Sequence, residues 1–324
     1  MSLPEFQLLQ PRSIAEAVDE LERRAGAIQI LAGGTDLIPS MRQGLFAPKY
    51  LLDIRAIREL AGIRETPSGV ALGALTPLAA IERSALLRKK YPVLTAAAAA
   101  VATPVLRNMG TLGGNICLDT RCLWYNQSLT WRKSCGFCIK KDGDLCHVAP
   151  GGSECWAVFS GDTPPALLCL GAQLQIAGPR GTRLVALADF YAGTGEAHLK
   201  LAKDELLTNI LLPAASAGML GAYRKLRVRG SIDYPLAGVA VAMKRKNAEI
   251  EDVRVALTAL DPAPVLVTGI ARALAGKLLS EESAELAGDL AAKTAKPLTT
   301  SALTPEYRKE MVRVLTKRAL LSLN

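Results

Sequence analysis

Residues 28–44 read Ile-Gln-Ile-Leu-Ala-Gly-Gly-Thr-Asp-Leu-Ile-Pro-Ser-Met-Arg-Gln-Gly. The first five, led by Ile28 and ending in Leu31 and Ala32, form an apolar run of strand length. It passes directly into Gly33, Gly34, Thr35 and Asp36. A strand that ends in paired glycines clusters backbone N–H groups around little side-chain bulk, which is a cradle for an anion such as a pyrophosphate. A second stretch of this kind, Asn-Met-Gly-Thr-Leu-Gly-Gly-Asn, occupies 108–115 and contains Thr111, Gly113, Gly114 and Asn115. Neither stretch has the G-x-G-x-x-G spacing, and neither is followed by Gly-Lys-Ser or Gly-Lys-Thr, so the common nucleotide motifs are not the basis of the reading. Either loop alone is also a plain tight turn. Two of them, each after a buried run, point to a dinucleotide site.

Around these loops the pattern alternates. Ser13 to Glu16 has the form of a capping box, and Ile14, Ala17, Val18 and Leu21 give a helical stripe that stops at Gly26. Strands are expected at 50–53, 58–63 and 69–72. Thr76-Pro77 opens a helix to about Leu87, and Pro92 opens another that ends near Thr103-Pro104. Residues 108–115 read as a glycine-rich turn. A helix follows Thr163-Pro164-Pro165, and 172–176 reads as a strand. Beyond Pro213 the texture changes to antiparallel strands at 221–228, 237–245 and 253–260, with Asn247-Ala248 in a turn. A final helix is capped by Thr304 and carries Pro305 in its first turn. The expected class is α+β, with the division between Gly178 and Gly218.

The chain has 324 residues, 50% of them apolar, enough for two or three packed domains. Its net charge is +9. The basic residues are dispersed, as in Arg88-Lys89-Lys90 and Lys244-Arg245-Lys246, without a stripe of interleaved aromatics. That argues for a solvated basic surface or a docking face for an acidic protein, and against nucleic acid. The N-terminal residues lack a basic segment leading into an apolar one, and the alanine run at 96–102 is too short to cross a bilayer. A cytoplasmic chain without membrane insertion is expected. In a reducing compartment its seven cysteines are thiols or metal ligands rather than disulfides.

Those cysteines all lie within 117–169, and five of them, Cys122, Cys135, Cys138, Cys146 and Cys155, fall in a stretch with no useful hydrophobic period. A structureless loop of this length is unusual inside a domain, and a metal centre would explain how it folds. Only Cys135 and Cys138 make the close pair typical of zinc sites. All three tryptophans, Trp124, Trp131 and Trp156, share the stretch and would give an iron–sulfur centre a dry aromatic shell. On residues alone, an iron–sulfur centre, a zinc site and inert thiols all stay open.

The stretches Ala-Gly-Gly-Thr-Asp-Leu-Ile-Pro-Ser-Met-Arg-Gln-Gly (32–44), Thr-Pro-Val-Leu-Arg-Asn-Met-Gly-Thr-Leu-Gly-Gly-Asn-Ile (103–116), Gly-Asp-Thr-Pro-Pro-Ala-Leu-Leu-Cys-Leu-Gly-Ala (161–172) and residues 223–243 together resemble the FAD-binding medium subunit of molybdenum hydroxylases. This is the family of xanthine dehydrogenase and carbon monoxide dehydrogenase. The resemblance covers nearly the whole chain. It implies a two-part FAD-binding domain of the molybdenum hydroxylase (PCMH) type at 1–215, with subdomains at about 1–55 and 56–215, then a C-terminal domain at 216–324 of antiparallel sheet and helices. It also implies that Leu31, Ala32, Gly33, Gly34, Thr35 and Asp36 hold the FAD pyrophosphate and ribose. Thr111, Gly113, Gly114 and Asn115 would form a second pyrophosphate contact. Asp162 would serve the adenosine side, and Lys225 would lie close to the flavin. From the residues themselves, Asp162 is also a candidate helix cap, and Lys225 a candidate solvated charge.

Ordinary members of that family run almost directly from the second loop to the helix after Asp162, so 121–159 is an insertion. It is similar to the insertion in the 4-hydroxybenzoyl-CoA reductase branch, which carries an additional [4Fe-4S] cluster. The resemblance makes Cys122, Cys138, Cys146 and Cys155 the ligands and leaves Cys135 out. It places Cys117 beside the second loop as a buried thiol, while Cys169 lies on an apolar helix and reads as core. The implied protein is an electron-transfer subunit with no substrate chemistry of its own. It would work in a heterohexamer, (αβγ)2, with a large molybdenum-cofactor subunit and a small subunit bearing two [2Fe-2S] clusters, and with ferredoxin as electron partner in aromatic degradation. Another aromatic, heteroaromatic or alicyclic substrate is the alternative. A zinc-stabilised docking protein and a stand-alone NAD-reducing flavin dehydrogenase are more distant ones.

Overall fold

The computed structural model describes residues 2–324. Three sheets organise it. The first contains β1 (Gln7–Leu9), β2 (Ile28–Leu31) and β3 (Tyr50–Asp53), parallel and in the order β1-β3-β2. Its apolar side packs on the helix Ile14–Arg23 through Ala17, Val18 and Leu21. The Ser13 hydroxyl caps that helix by accepting from Glu16 N, but the Glu16 carboxylate bonds Arg12 N instead of the cap residue, so the box is only half formed.

The second sheet is antiparallel and contains β4 (Ile63–Thr66), β5 (Gly69–Gly73), β6 (Gln173–Gly178), β7 (Gly181–Ala186) and β8 (Leu206–Pro213), in the order β4-β5-β8-β6-β7. The expected strand at 58–63 is in fact a tight turn at Arg58–Leu60 leading into β4. The single helix expected after Pro77 is two, Leu78–Arg83 and Ala85–Lys90. Ser84 breaks the run because its hydroxyl caps the second helix at Leu87 N. The third sheet is antiparallel, in the order β12-β11-β10-β9, from β9 (Leu220–Leu226), β10 (Ala237–Lys246), β11 (Glu249–Thr258) and β12 (Val265–Leu266). Asn247 and Ala248 both have positive φ, as the two-residue turn between β10 and β11 demands. Helices Glu281–Thr294 and Pro305–Leu321 complete this part.

The helix Thr163–Leu170 is buried along its whole length. It belongs to a core that also takes in Ala240, Ala242 and Ala256 of the third sheet, so the middle and C-terminal parts share one apolar interior. Among the described residues no helix is long and apolar enough to cross a membrane.

Candidate functional site

At the end of β2 the chain turns through Ala32–Asp36, with Gly34 at φ +70°. The backbone N–H groups of Gly33, Gly34, Thr35 and Asp36 meet no acceptor among the described residues. Four consecutive backbone donors left free by the chain, around a loop with little side-chain bulk, are what an anion accepts from. The residues therefore fit a bound pyrophosphate.

The second loop is built differently from the expected open turn. Thr111 caps a short helix, Leu112–Ile116, through its hydroxyl to Gly114 N at 3.1 Å. Leu112 N donates to Thr76 O, Gly113 N to Ala74 O and Asn115 N to Thr111 O. The N–H groups of Gly113 and Gly114 are thus already used within the chain, so any contact these two make with a phosphate is through close approach rather than donation. What this loop can still turn to a ligand is the Thr111 N–H and hydroxyl proton and the Asn115 amide. The Asn115 Oδ1 accepts from Thr163 N and Oγ1 at 2.9 and 2.7 Å.

The glycines serve close approach. A Cβ on Gly33 would lie 2.0 Å from the Met109 carbonyl oxygen, and one on Gly113 would lie 2.8 Å from Ala74 Cβ. The two loops touch backbone to backbone, so a group held by the first lies against the second.

Asp36 opens the helix Leu37–Arg42 but makes no capping bond. Its Oδ1 instead accepts from Tyr234 OH at 2.7 Å and Arg121 Nη1 at 3.0 Å, and the Arg121 guanidinium stacks 4.0 Å over the Tyr234 ring. Asp162 likewise makes no side-chain cap. It is buried, and its two oxygens accept from Tyr223 OH at 2.7 Å and Lys225 Nζ at 3.0 Å. The Lys225 side chain is 5% exposed, which removes the solvated-charge reading. Its ammonium also donates to Ala100 O at 3.0 Å. Burial pushes the Asp162 carboxyl up and the Lys225 ammonium down, while their mutual attraction pulls both the other way. The adenosine-side and flavin-side roles expected for these residues thus fall on one ion pair at one place.

The cysteine-bearing segment 121–159 leaves the body of the chain through a two-way backbone pairing of Arg121 with Val158, both bonds 2.8 Å. Within it, Ser128 caps a helix at Leu129–Ser134 that no periodicity announced. Gly136 and Phe137, both with positive φ, turn the chain into Cys138. Arg132 is fully buried beneath that turn and donates to Gly44 O at 2.8 Å. His147 stacks on Trp124 at 4.5 Å, and its Nε2 lies 2.6 Å from the Phe137 carbonyl, so that nitrogen carries the proton.

Cys122, Cys138, Cys146 and Cys155 line one small cavity with Trp124, Tyr125, Lys140, His147 and Trp156. Cys135 is not among the lining residues. Cys117 is half-buried below the second loop, and Cys169 lies in the core. All seven cysteines are free. Burial raises the Cys122 thiol to about 11, with backbone donors from Trp124 and Tyr125 pulling it down and the neighbouring Cys155 and Cys138 pushing it further up. Burial also raises Cys155, with Lys140 acting against it.

A single zinc ion needs its thiolates about 2.3 Å from a common point. Among the described residues no three Cys, His, Asp or Glu side chains converge in that way. The family resemblance singled out the four cavity cysteines, and the residues themselves marked both glycine loops. Neither found Arg121, Tyr223, Tyr234 or Lys140, because nothing in their local pattern marks them; only the fold brings them to the site.

The sequence matches the family described as the FAD binding domain in molybdopterin dehydrogenase over residues 4–215, and the CO dehydrogenase flavoprotein C-terminal domain over 221–323. It is 30% identical to the carbon monoxide dehydrogenase medium chain of Hydrogenophaga pseudoflava, covering 98% of this chain and 96% of that one. It is also 30% identical to the glyceraldehyde dehydrogenase medium chain of Sulfolobus acidocaldarius, covering 98% and 97%. The fold superposes on a chain of reconstituted CO dehydrogenase from Oligotropha carboxidovorans with a TM-score of 0.83 at 30% identity, over 100% and 99% of the two chains. The chain therefore belongs to the FAD-binding family of the molybdopterin dehydrogenases, as the flavoprotein subunit of an oxidoreductase.

Proposed function

We propose that this chain is an FAD and [4Fe-4S] electron-transfer subunit of a molybdenum-containing complex of the 4-hydroxybenzoyl-CoA reductase type. The observation that carries the reading is the single cavity lined by Cys122, Cys138, Cys146 and Cys155, reached from the second glycine loop in seven residues, from Asn115 to Cys122. When bound, FAD exchanges electrons in pairs and an iron–sulfur cluster exchanges them singly, so the two together convert one mode into the other.

The chain's own residues prepare both places. The N–H groups of Gly33 to Asp36 hold the pyrophosphate, with Leu31 and Ala32 leading into them and Thr111 and Asn115 contributing from the second loop. Gly33 against Met109 and Gly110 keeps the loops in contact, and Gly113 lets the second loop close on Ala74. The Asp162–Lys225 pair fixes the junction between the flavin domain and β9. The four thiolates hold the cluster, and Trp124, Trp156 and the His147 ring keep water from it.

On this reading a large molybdenum-cofactor subunit and a small subunit with two [2Fe-2S] clusters complete an (αβγ)2 assembly. Ferredoxin is the electron partner. Removal of the phenolic hydroxyl from 4-hydroxybenzoyl-CoA takes two electrons and two protons and releases water, and it occurs on the large subunit. A complex acting on another substrate fits this chain equally, since its relatives of like identity are named for carbon monoxide and glyceraldehyde.

Purification with the partner subunits tests the reading. The expected complex holds flavin and iron–sulfur in this chain and dehydroxylates 4-hydroxybenzoyl-CoA with reduced ferredoxin. Flavin and iron without that activity select another substrate. Zinc in this chain, without labile sulfide, defeats the electron-transfer role of the insertion.

A further inference from the structure

The cavity wall contains a charge that ligation does not require. Lys140 lines the cavity with the four cysteines, and its side chain is 5% exposed. Its Nζ is fixed by three oxygens, Asp119 Oδ1 at 2.8 Å, Gly195 O at 2.7 Å and Thr120 Oγ1 at 2.5 Å. It sits 4.7 Å from the centroid of the Tyr125 ring, which lines the same cavity. The balancing carboxylate of Asp119 is not among the groups that line the cavity, and His198 Nδ1 lies 3.9 Å from it. Of the two charges, the cation is the one that lines the cavity. Of the other charges nearby, Arg132 and Asp142 pair with each other at 3.8 Å and do not line the cavity.

The ammonium is paired with Asp119 and held in place, so its charge stays in the wall of the cavity. Four thiolates around an oxidised iron–sulfur core carry net negative charge, and reduction adds one more electron and no proton. In a low-dielectric wall a fixed cation stabilises the more negative state most.

We propose that Lys140 is the fixed charge that sets the reduction potential of the cluster, holding it easier to reduce than its thiolate ligands alone would. This rests on the iron–sulfur reading of the cavity. The role is electrostatic positioning, and Lys140 is not a ligand.

The test is a dithionite titration of the purified complex with redox mediators, read by electron paramagnetic resonance, for the wild type, Lys140→Met and Lys140→Arg. At a fixed ambient potential, Lys140→Met should lower the ratio of reduced to oxidised cluster by on the order of tenfold, a shift of about 59 mV to more negative potential for one electron. Lys140→Arg should restore most of it, and the flavin potential should not move. An unchanged cluster potential in Lys140→Met, with iron retained, overturns the proposal and leaves the cluster reading standing. If Lys140→Met loses iron, Asp119→Asn decides. It removes the opposing charge and should move the potential upward; no upward shift overturns the proposal. Absence of iron and sulfide from this chain in the wild type overturns both readings together.

Discussion

Arg121 donates from Nη1 to Asp36 Oδ1 across 3.0 Å. One partner stands immediately before the first cavity cysteine, and the other closes the first glycine loop. The link is short and direct, so the order of the insertion and the order of the flavin loop are expected to depend on each other. Replacing Arg121 with Met removes a charge-assisted bond and the stacking on Tyr234. A bond of that kind contributes about 1.5–3 kcal/mol, so FAD should bind roughly tenfold to a hundredfold more weakly. Arg121→Lys should fall between. Flavin release followed by fluorescence checks this, and an unchanged Kd in Arg121→Met would show that the link plays no part in holding the cofactor.

Gly33 is predicted to be the least replaceable residue of the first loop, for a reason independent of the ligand. An alanine Cβ there would lie 2.0 Å from Met109 O, so the two loop backbones must part. Overpacking of this sort costs about 3 kcal/mol or more. Gly33→Ala should lower the melting temperature even in flavin-free protein. Gly114→Ala meets only the Thr111 hydroxyl, at 3.0 Å, and should be milder. Equal melting temperatures for the two variants would contradict the packing argument.

The Asp162–Lys225 pair joins the helix Thr163–Leu170 to β9, and both side chains are buried. Lys225→Met leaves a carboxylate without its cation, which costs about 3–5 kcal/mol. Tyr223→Phe removes one neutral donor to the same carboxylate and should cost about 1–3 kcal/mol. Thermal and urea unfolding of the variants gives the ranking; a Lys225→Met protein as stable as the wild type would mean that the pair holds nothing together.

His198 gives the chain a defined acid sensitivity. Burial lowers its pKa from 6.5 to about 4; Asp119 pulls it up and Lys140 pushes it down. Its Nε2 has no hydrogen-bond partner. Between about pH 6.5 and 4 the unfolded chain binds a proton at this position that the folded chain refuses, so stability falls as pH falls through that window. The loss is at most roughly 3 kcal/mol. His198→Gln should flatten the profile of unfolding free energy against pH over that range. The same slope in wild type and variant would assign the acid sensitivity elsewhere.

The parts of the site legible in the sequence were those whose chemistry is local. Paired glycines after an apolar run mark a loop by themselves, and thiols without a hydrophobic period mark a segment that needs another means of folding. The partners that complete the site are not local. Lys225 reads as a charge beside a strand until Asp162, 63 residues away, is found against it. Arg121 and Tyr234 acquire meaning only through Asp36. Within the second loop, the sequence reading of an open turn missed the capping power of Thr111, whose hydroxyl turns Leu112–Ile116 into a helix and takes a donor that the turn reading left free. β8 was not anticipated because its residues 206–213 are mostly buried and carry no clean alternation, as befits a central strand.

The central claim is that four particular cysteines hold a cluster, and iron with labile sulfide, measured in the purified complex for single Cys→Ser variants, tests it most directly. Cys122→Ser, Cys138→Ser, Cys146→Ser and Cys155→Ser should each lose roughly four irons and four sulfides per copy of this chain, with the [2Fe-2S] signals of the partner subunit intact. Cys135→Ser should keep the full complement. Iron and sulfide unchanged in the four variants, or lost in Cys135→Ser and kept in Cys138→Ser, would contradict the assignment.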